Sequence, residues 1–310
     1  MRWQYKAAVQ KSLSLIPRGG GERANYVLQR YVTKKLPAPD DQFFSYFDQT
    51  ARHVRIFREH GERQLESVRA YEFGAGWHLI GPLSLWALGV SQQVIVDIDA
   101  HLRLGLVNHT IAQLARHHAA LEDRAGQSLR RPETSPVRSL ADLHERFGID
   151  YRAPCDARRT DLQSNSFDLI LSTFTLEHIP RHDIVAILRE CGRLLAEHGI
   201  VSCSIDMNDH YAFDDPRISV YNFLRYSDRR WRFVNSPLHY QNRLRARDHR
   251  DLFAEAGLTI VSEELDFPGD EDREQLRQLP LPPRFAQGYT LDELEPVAMM
   301  VVATHEEKPG

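Results

Sequence analysis

After residue 67 the chain alternates short apolar runs with longer segments whose apolar residues recur at helical spacing. The short runs have the length and β-branched content of buried strands, and they lie at 68–73, 93–98, 149–154, 167–175 and 200–206. The intervening segments favour helices, at 101–124, at 181–199 with Gly199 closing the helix, and between the first two strands up to about Leu88. A helix at 245–257 follows, and then two strands at 258–267 and 296–304 with only a loop between them.

This alternation predicts an α/β fold, a Rossmann-like and doubly wound sheet that is mostly parallel with an antiparallel last strand. Residues 1–67 carry amphipathic helical patterns without a strand, and we expect them to form a helical cover within which "PRGGGER" is a hinge. The main domain is then 68–310, with a surface insertion at about 125–148 and a cap over the substrate at about 207–243.

Composition excludes several classes of protein. The 310 residues carry a formal net charge of −4, so no global basic field favours nucleic acid. The three cysteines are far apart and lack metal-ligand spacing. No apolar run approaches the ~20 residues of a membrane span, and the N-terminal segment has no sustained apolar region or cleavage site. We therefore expect a cytoplasmic protein without a membrane span.

The loop after the first strand is the first candidate binding site. Gly74 and Gly76 let the backbone approach a ligand closely, but Leu79 stands where a dinucleotide fingerprint has its third glycine. Asp97 ends the second strand, where a carboxylate accepts both hydroxyls of a ribose, and Asp99 is a rival for that role. A ligand with adenosine and no phosphates suits this loop better than a dinucleotide.

These motifs, in this order, resemble the class I S-adenosylmethionine (SAM)-dependent methyltransferases. The resemblance rests on "EFGAG" (72–76), "VIVDID" (94–99), "CDARRTDLQSNSFDLI" (155–170), "TLEHI" (175–179), "ILRECGRLLAEHGIVSCSI" (187–205) and "RDLFAEAGLTIV" (250–261). It implies SAM as the cofactor, with Gly74 and Gly76 lining its methionine and ribose side and Glu72 ordering the loop or meeting the amino group. It further implies that Asp97 holds the ribose and that Asp156 and the Ala157 N–H flank the adenine.

Catalytic candidates follow the fourth and fifth strands, where the transferred methyl group should point. His210 is the candidate base, because an imidazole titrates near neutral pH, and Asp206 or Asp209 would orient it. His178 is a second candidate, for which we favour a structural role. Some methyltransferases hold a divalent ion with E-x-x-E-H, but Phe174 replaces the first glutamate before Glu177 and His178. Asp206 and Asp209 offer oxygens instead, and we predict no metal while leaving that alternative open.

The segment 210–243 is rich in aromatic residues and arginine, which suits a hydroxylated ring such as a sugar or a phenolic or polyketide-like metabolite. We therefore predict O-methylation of a small-molecule acceptor. One alternative is a non-catalytic protein that binds the cofactor, or acts as an assembly partner. The other is a nicotinamide-dependent oxidoreductase, which the missing third glycine and the absence of a Y-x-x-x-K pair disfavour.

Overall fold

The computed structural model describes residues 2–16, Tyr26 and residues 36–305, so the "PRGGGER" segment lies outside the described residues. Seven strands lie close to the predicted positions. They are β1 (Arg69–Phe73), β2 (Gln92–Val96), β3 (Ile149–Arg152), β4 (Phe167–Thr173), β5 (Leu195–Asp206), β6 (Leu258–Asp266) and β7 (Ala298–His305).

The described α-helices flank and connect these strands. Two precede the sheet, α1 (Trp3–Leu13) and α2 (Asp40–His60). Five lie in the crossovers: α3 (Ile80–Ala87), α4 (Leu104–Arg116), α5 (His118–Ala125), α6 (Leu140–Phe147) and α7 (Arg181–Leu194). The remainder are α8 (Asp228–Val234), α9 (Ala246–Glu255), α10 (Asp270–Gln278), α11 (Pro283–Gly288) and α12 (Leu291–Leu294).

The strands form one sheet in the order β3-β2-β1-β4-β5-β7-β6. The first five strands in the chain pair in parallel, whereas β7 pairs antiparallel with both β5 and β6. This confirms the predicted mostly parallel, Rossmann-like sheet with an antiparallel last strand. The chain reverses direction across the sheet between β1 and β4, and ligands bind beyond the carboxyl ends of the strands at such a reversal.

Each face of the sheet carries a hydrophobic core, as period-two side-chain alternation in a strand requires. In β1, Ala70 faces a core that also contains Phe43 and Phe47 of α2. Tyr71 and Phe73, which alternate with Ala70 along the strand, face the opposite core, and that core also contains Leu188 of α7. The N-terminal helix α2 is thus packed into one main core of the sheet.

Several boundaries differ from prediction. Gly199 does not close a helix, since α7 ends at Leu194 and β5 begins at the next residue. A Cβ at Gly199 would lie 2.9 Å from the carbonyl oxygen of Phe167, so the glycine permits close backbone approach to β4 beside an irregularity in their pairing. The predicted helix 101–124 is two helices that meet at His117, and three short helices lie between β6 and β7 where a loop was expected.

The segment 125–148 contains α6, which is more than a surface insertion. Leu143 and Phe147 of α6 are buried in the core, and Gly148 closes the helix in a left-handed conformation before β3. A Cβ on Gly148 would overlap the Ser91 carbonyl, so only glycine fits there. Helix α6 therefore supplies the crossover that places β3 at the edge of the sheet.

A third hydrophobic cluster, which we name the cap core, is formed by α1, by the segment between β5 and α9, and by the three short helices between β6 and β7. It contains Trp3 and Ala7 of α1, Tyr211, Phe223 and Trp231. Within the described residues no helix is long and apolar enough to cross a membrane.

Candidate active site

The glycine loop takes a conformation that requires its glycines. Gly74 and Gly76 have φ angles of +79° and +70°, and a Cβ at Gly74 would lie 2.4 Å from Cγ2 of Thr175. Leu79, where a fingerprint glycine was missing, also adopts a left-handed conformation, with φ of 50°. That conformation costs a non-glycine residue roughly 1–2 kcal/mol, which complete burial of the leucine side chain offsets.

A cavity of about 460 Å³ opens beyond the carboxyl ends of β1, β2 and β4. This volume is in the range of pockets that hold small cofactors. Its walls include five of the six predicted cofactor residues: Gly74, Gly76, Asp97, Asp156 and Ala157. The sixth, Glu72, lies within β1, two residues before Gly74, and is buried.

Asp97 lies in the cavity wall just past the end of β2 and is 6% exposed. The Tyr151 hydroxyl and the Gly76 N–H donate hydrogen bonds to its carboxylate, while Oδ2 is buried without a partner among the described residues. Burial is the main reason that the pKa of Asp97 rises to about 7. An unpartnered carboxylate oxygen at a cavity wall fits a ligand that brings hydroxyl donors, as a ribose does.

Glu72 carries a second buried carboxyl group below the loop. Burial, followed by repulsion from Asp97, raises its pKa to about 8. In the described part of the chain its Oε2 has no hydrogen-bond partner, and no cation pairs with it. A ligand with positive charge would favour ionisation of these two carboxyl groups, and SAM carries a sulfonium and an ammonium group.

Asp156 and Ala157 lie in the cavity wall on the loop next to Asp97, where the Cys155 N–H donates to the Asp97 carbonyl oxygen at 2.8 Å. The Asp156 carboxylate accepts hydrogen bonds from the Arg158 guanidinium, which lowers its pKa, and Arg158 also pairs with Asp183 at 2.5 Å. The Asp156 side chain is therefore partly committed to Arg158. Ile98, which is 61% exposed, and His101 line the same cavity and add apolar and aromatic surface.

Three histidines meet beyond the ends of β4 and β5. The ring centroids of His178 and His210 are 5.0 Å apart, and that of His239 lies 5.4 Å from His178. Nδ1 of His178 is 2.7 Å from the Tyr240 carbonyl oxygen, so this nitrogen carries the proton and fixes the ring. Burial, and then the charge of His210, lowers the pKa of His178 to about 4.

Of the two aspartates predicted to orient His210, Asp206 is the one that faces it. Oδ2 of Asp206 lies 3.2 Å from Nε2 of His210. Asp209 is fully buried and accepts hydrogen bonds from the Tyr211 N–H and from Nδ2 of Asn222, at 2.9 Å each. Asp209 thus fixes the turn that carries His210 and does not contact the imidazole.

Glu177 is a buried carboxyl group at the same place, and sequence analysis gave it no role of its own. Both of its carboxylate oxygens are buried without a hydrogen-bond partner among the described residues, and burial raises its pKa well above the ordinary value. Glu177, His178 and His210 each bring one donor atom within 4.8 Å of the others. Either a proton on Glu177 or a cation at this trio satisfies the carboxyl group, and the absence of a metal stays a prediction.

Most of the aromatic residues in the predicted substrate cap are structural. Tyr221, Phe223 and Trp231 are buried in the cap core. The buried guanidinium of Arg245 donates to the carbonyl oxygens of Met207 and Leu294. Phe213 differs, because it is 56% exposed and stacks on His210 with ring centroids 5.2 Å apart.

Sequence reasoning missed several residues of this site. Tyr151 in β3 and Thr175 after β4 support Asp97 and Gly74, but hydroxyl residues are too common for their role to be visible in a sequence. Tyr46 of α2 packs edge-on against His78 and Phe174, which reach it from different loops. Only the folded chain brings these residues together.

Comparison with known proteins gives one family match. The profile of a methyltransferase domain matches residues 133–203, which run from the crossover before β3 into β5. No curated protein matches the chain.

Many solved structures are similar to this chain at low sequence identity. A SAM-dependent methyltransferase from Leishmania major is 13% identical, with 97% of this chain and 83% of that chain covered at a TM-score of 0.43. One from Mesorhizobium loti is 17% identical, with coverage of 83% and 99% and a TM-score of 0.42. Geranyl diphosphate C-methyltransferase from Streptomyces coelicolor is 10% identical, with coverage of 83% and 81% and a TM-score of 0.45. Likeness at this level does not identify an acceptor.

The methyltransferase-domain match over residues 133–203, together with the Rossmann-like sheet, indicates a SAM-dependent methyltransferase that uses SAM as its cofactor. This confirms the resemblance to SAM-dependent methyltransferases drawn from the sequence.

Proposed function

We propose that the enzyme methylates a hydroxyl oxygen of a small acceptor with a hydroxylated ring, a sugar or a phenolic or polyketide-like compound. The observation that carries this proposal is the His210–Asp206 pair beyond the end of β5. Nε2 of His210 lies 3.2 Å from Oδ2 of Asp206 without hydrogen-bond geometry, and Nδ1 would be the nitrogen that accepts a proton. A histidine beside a carboxylate is suited to removing a hydroxyl proton.

Bound SAM would supply a methyl group on a positively charged sulfur, an electrophile that needs no further activation. Gly74 and Gly76 would admit it closely, Asp97 would accept the ribose hydroxyls, and Glu72 would lie near its positive groups. Asp156 and the Ala157 N–H would flank the adenine, with Ile98 against its face. His210 would take the acceptor proton, and Asp206 would stabilise the resulting imidazolium.

The acceptor ring would lie against Phe213. This exposed ring stacks on His210, with an angle of 27° between the ring planes, and offers an apolar surface next to the base. Stacking of this kind selects a flat or ring-shaped acceptor and places its hydroxyl near the imidazole. His178, fixed by the Tyr240 carbonyl, would shape the wall between acceptor and cofactor.

We further propose that residues 1–67 cover the cofactor cavity, as the sequence predicted. Tyr26 stacks on Trp77 at 5.1 Å, and Trp77 stacks on His101 in the cavity wall at the same distance. Tyr46 of α2 packs against Phe174, which also lines the cavity. Both contacts join the N-terminal region to residues at the cavity wall, and they support the proposed cover.

The test is to supply SAM with an isotopically labelled methyl group to a panel of hydroxylated sugars and phenols, and to locate the label in the product by NMR. A methyl carbon bonded to oxygen supports the proposal. Transfer to carbon or nitrogen, with no O-methyl product from any acceptor, contradicts it. If His210→Ala forms product at the wild-type rate, His210 is not the base. That result would leave the proposal of O-methylation standing.

A further inference from the structure

Helix α1 exposes apolar side chains opposite its buried side. Trp3 and Ala7 face the cap core and are buried. On the opposite side Tyr5 and Val9 are 64% and 44% exposed. Leu15 and Ile16, in the turn after the helix, are exposed as well. An exposed apolar helix face of this kind marks an interaction surface.

Helix α8 adds positive charge. Its Trp231 points inward, where its indole N–H donates to the Gln241 carbonyl oxygen at 3.1 Å. Outward it exposes Arg229, Arg230, Arg232 and the 71% exposed Phe233. Among the described residues these three arginines form no ion pair, since Asp228 on the same helix binds Arg243 and Arg284.

The two helices share one side of the molecule. They contact each other and pack on the same cap core, α1 through Trp3 and α8 through Trp231. The Ser236 hydroxyl just after α8 donates to the Gln10 carbonyl oxygen of α1 at 3.0 Å. Both helices turn their buried sides to one core, so the exposed side of each faces away from that core.

We propose that this surface docks the enzyme on an anionic lipid bilayer. We name it the α1–α8 surface, and it consists of Tyr5, Val9, Leu15, Ile16, Arg229, Arg230, Arg232 and Phe233. Aliphatic and aromatic side chains bury in the interface of a bilayer, and arginines beside them bind anionic headgroups. The enzyme as a whole has a net charge of −4, so this concentration of unpaired arginines is local.

The lipid surface fits the observations better than a nucleic acid does. A phosphate backbone would engage the arginines, but it gives no apolar environment to Val9, Leu15 and Ile16. A bilayer accommodates both sets of side chains at once. The docking would be peripheral, in agreement with the finding that no described helix could span a membrane.

The experiment is flotation of the full-length protein with vesicles of pure phosphatidylcholine and with vesicles containing 30% phosphatidylglycerol. We expect binding to the anionic vesicles only, weakened by raising the salt concentration. Each arginine removed should weaken binding by about fivefold, so Arg229→Glu/Arg232→Glu should reduce it by at least roughly 25-fold. Arg131→Glu/Arg138→Glu is the matched control for net charge, because these two arginines are exposed and lie outside the α1–α8 surface. This variant should bind as the wild type does.

A second variant tests the apolar part. Val9→Ser/Ile16→Ser changes exposed side chains, so it should keep the thermal unfolding temperature while losing vesicle binding. Absence of binding to anionic vesicles would overturn the proposal, as would equal loss in the two arginine variants. Binding to single-stranded RNA or heparin without binding to vesicles would replace the bilayer with a polyanion as the partner.

Discussion

Glu72 should make the cofactor-free enzyme less stable as the pH rises. Its buried carboxyl group keeps a proton up to about pH 8, whereas the unfolded chain releases it near the ordinary value of 4.5. Between those values the unfolded state binds one proton fewer, so the free energy of unfolding falls by about 1.4 kcal/mol per pH unit. Over the whole window the loss from Glu72 is roughly 4–5 kcal/mol.

Glu72→Gln removes this titration, because glutamine is neutral at every pH and close to the protonated carboxyl in shape. The free energy of unfolding of both proteins can be measured in urea between pH 5 and 7. Its slope against pH should be about 1.4 kcal/mol per pH unit less negative in the variant. Asp97, whose pKa also rises, still titrates in both proteins. Glu145→Gln, an exposed carboxyl on α6, is the matched control and should keep the wild-type slope. Equal slopes for wild type and Glu72→Gln would refute the buried, unpaired state of Glu72.

Three further predictions concern the site and its cover. His210→Ala should lower kcat by ~10²–10⁴-fold and keep the affinity for SAM. His178→Ala should instead disturb folding or SAM binding. If His178→Ala loses only the chemical step, the two roles are reversed. Treatment with a chelator should leave kcat unchanged, and a loss that Mn²⁺ or Zn²⁺ restores would show a metal at Glu177. Tyr26→Ala should weaken SAM binding by roughly 2–10-fold, because the stack on Trp77 is lost. Calorimetry measures this against Tyr5→Ala as the control. Equal affinities of the two variants would contradict the proposal that the N-terminal region covers the cofactor cavity.

Local sequence pattern was sufficient for most of the fold. The apolar run 167–175 contains β4, which is buried on both faces over its whole length, so composition alone identifies such a run as a strand. Gly199 misled the prediction because a glycine after an amphipathic helix usually closes it. Here the glycine serves a backbone contact with β4, which depends on residues far away in the chain.

The site was predictable only where a residue follows a strand. Gly74 and Asp97 have recognisable places after β1 and β2, and the structure puts both in the cavity wall. The choice between Asp206 and Asp209 depends on side-chain direction, which spacing did not reveal. Glu177 became visible only through its burial without a partner. Most cap aromatics were read as substrate contacts because composition does not distinguish a hydrophobic core from a binding surface.

Calorimetric titration with SAM tests the central claim most directly, with NAD as the comparison ligand and Asp97→Ala as the variant. The account predicts micromolar binding of SAM or its demethylated product by the wild type and almost none of NAD. Asp97→Ala should lose two hydrogen bonds to a charged acceptor, each worth roughly 1.5–3 kcal/mol. Because burial raises the pKa of Asp97 to about 7, wild-type affinity should also fall as the pH drops below 7. Tight binding of NAD without a response to SAM, or full SAM affinity in Asp97→Ala, would contradict the account.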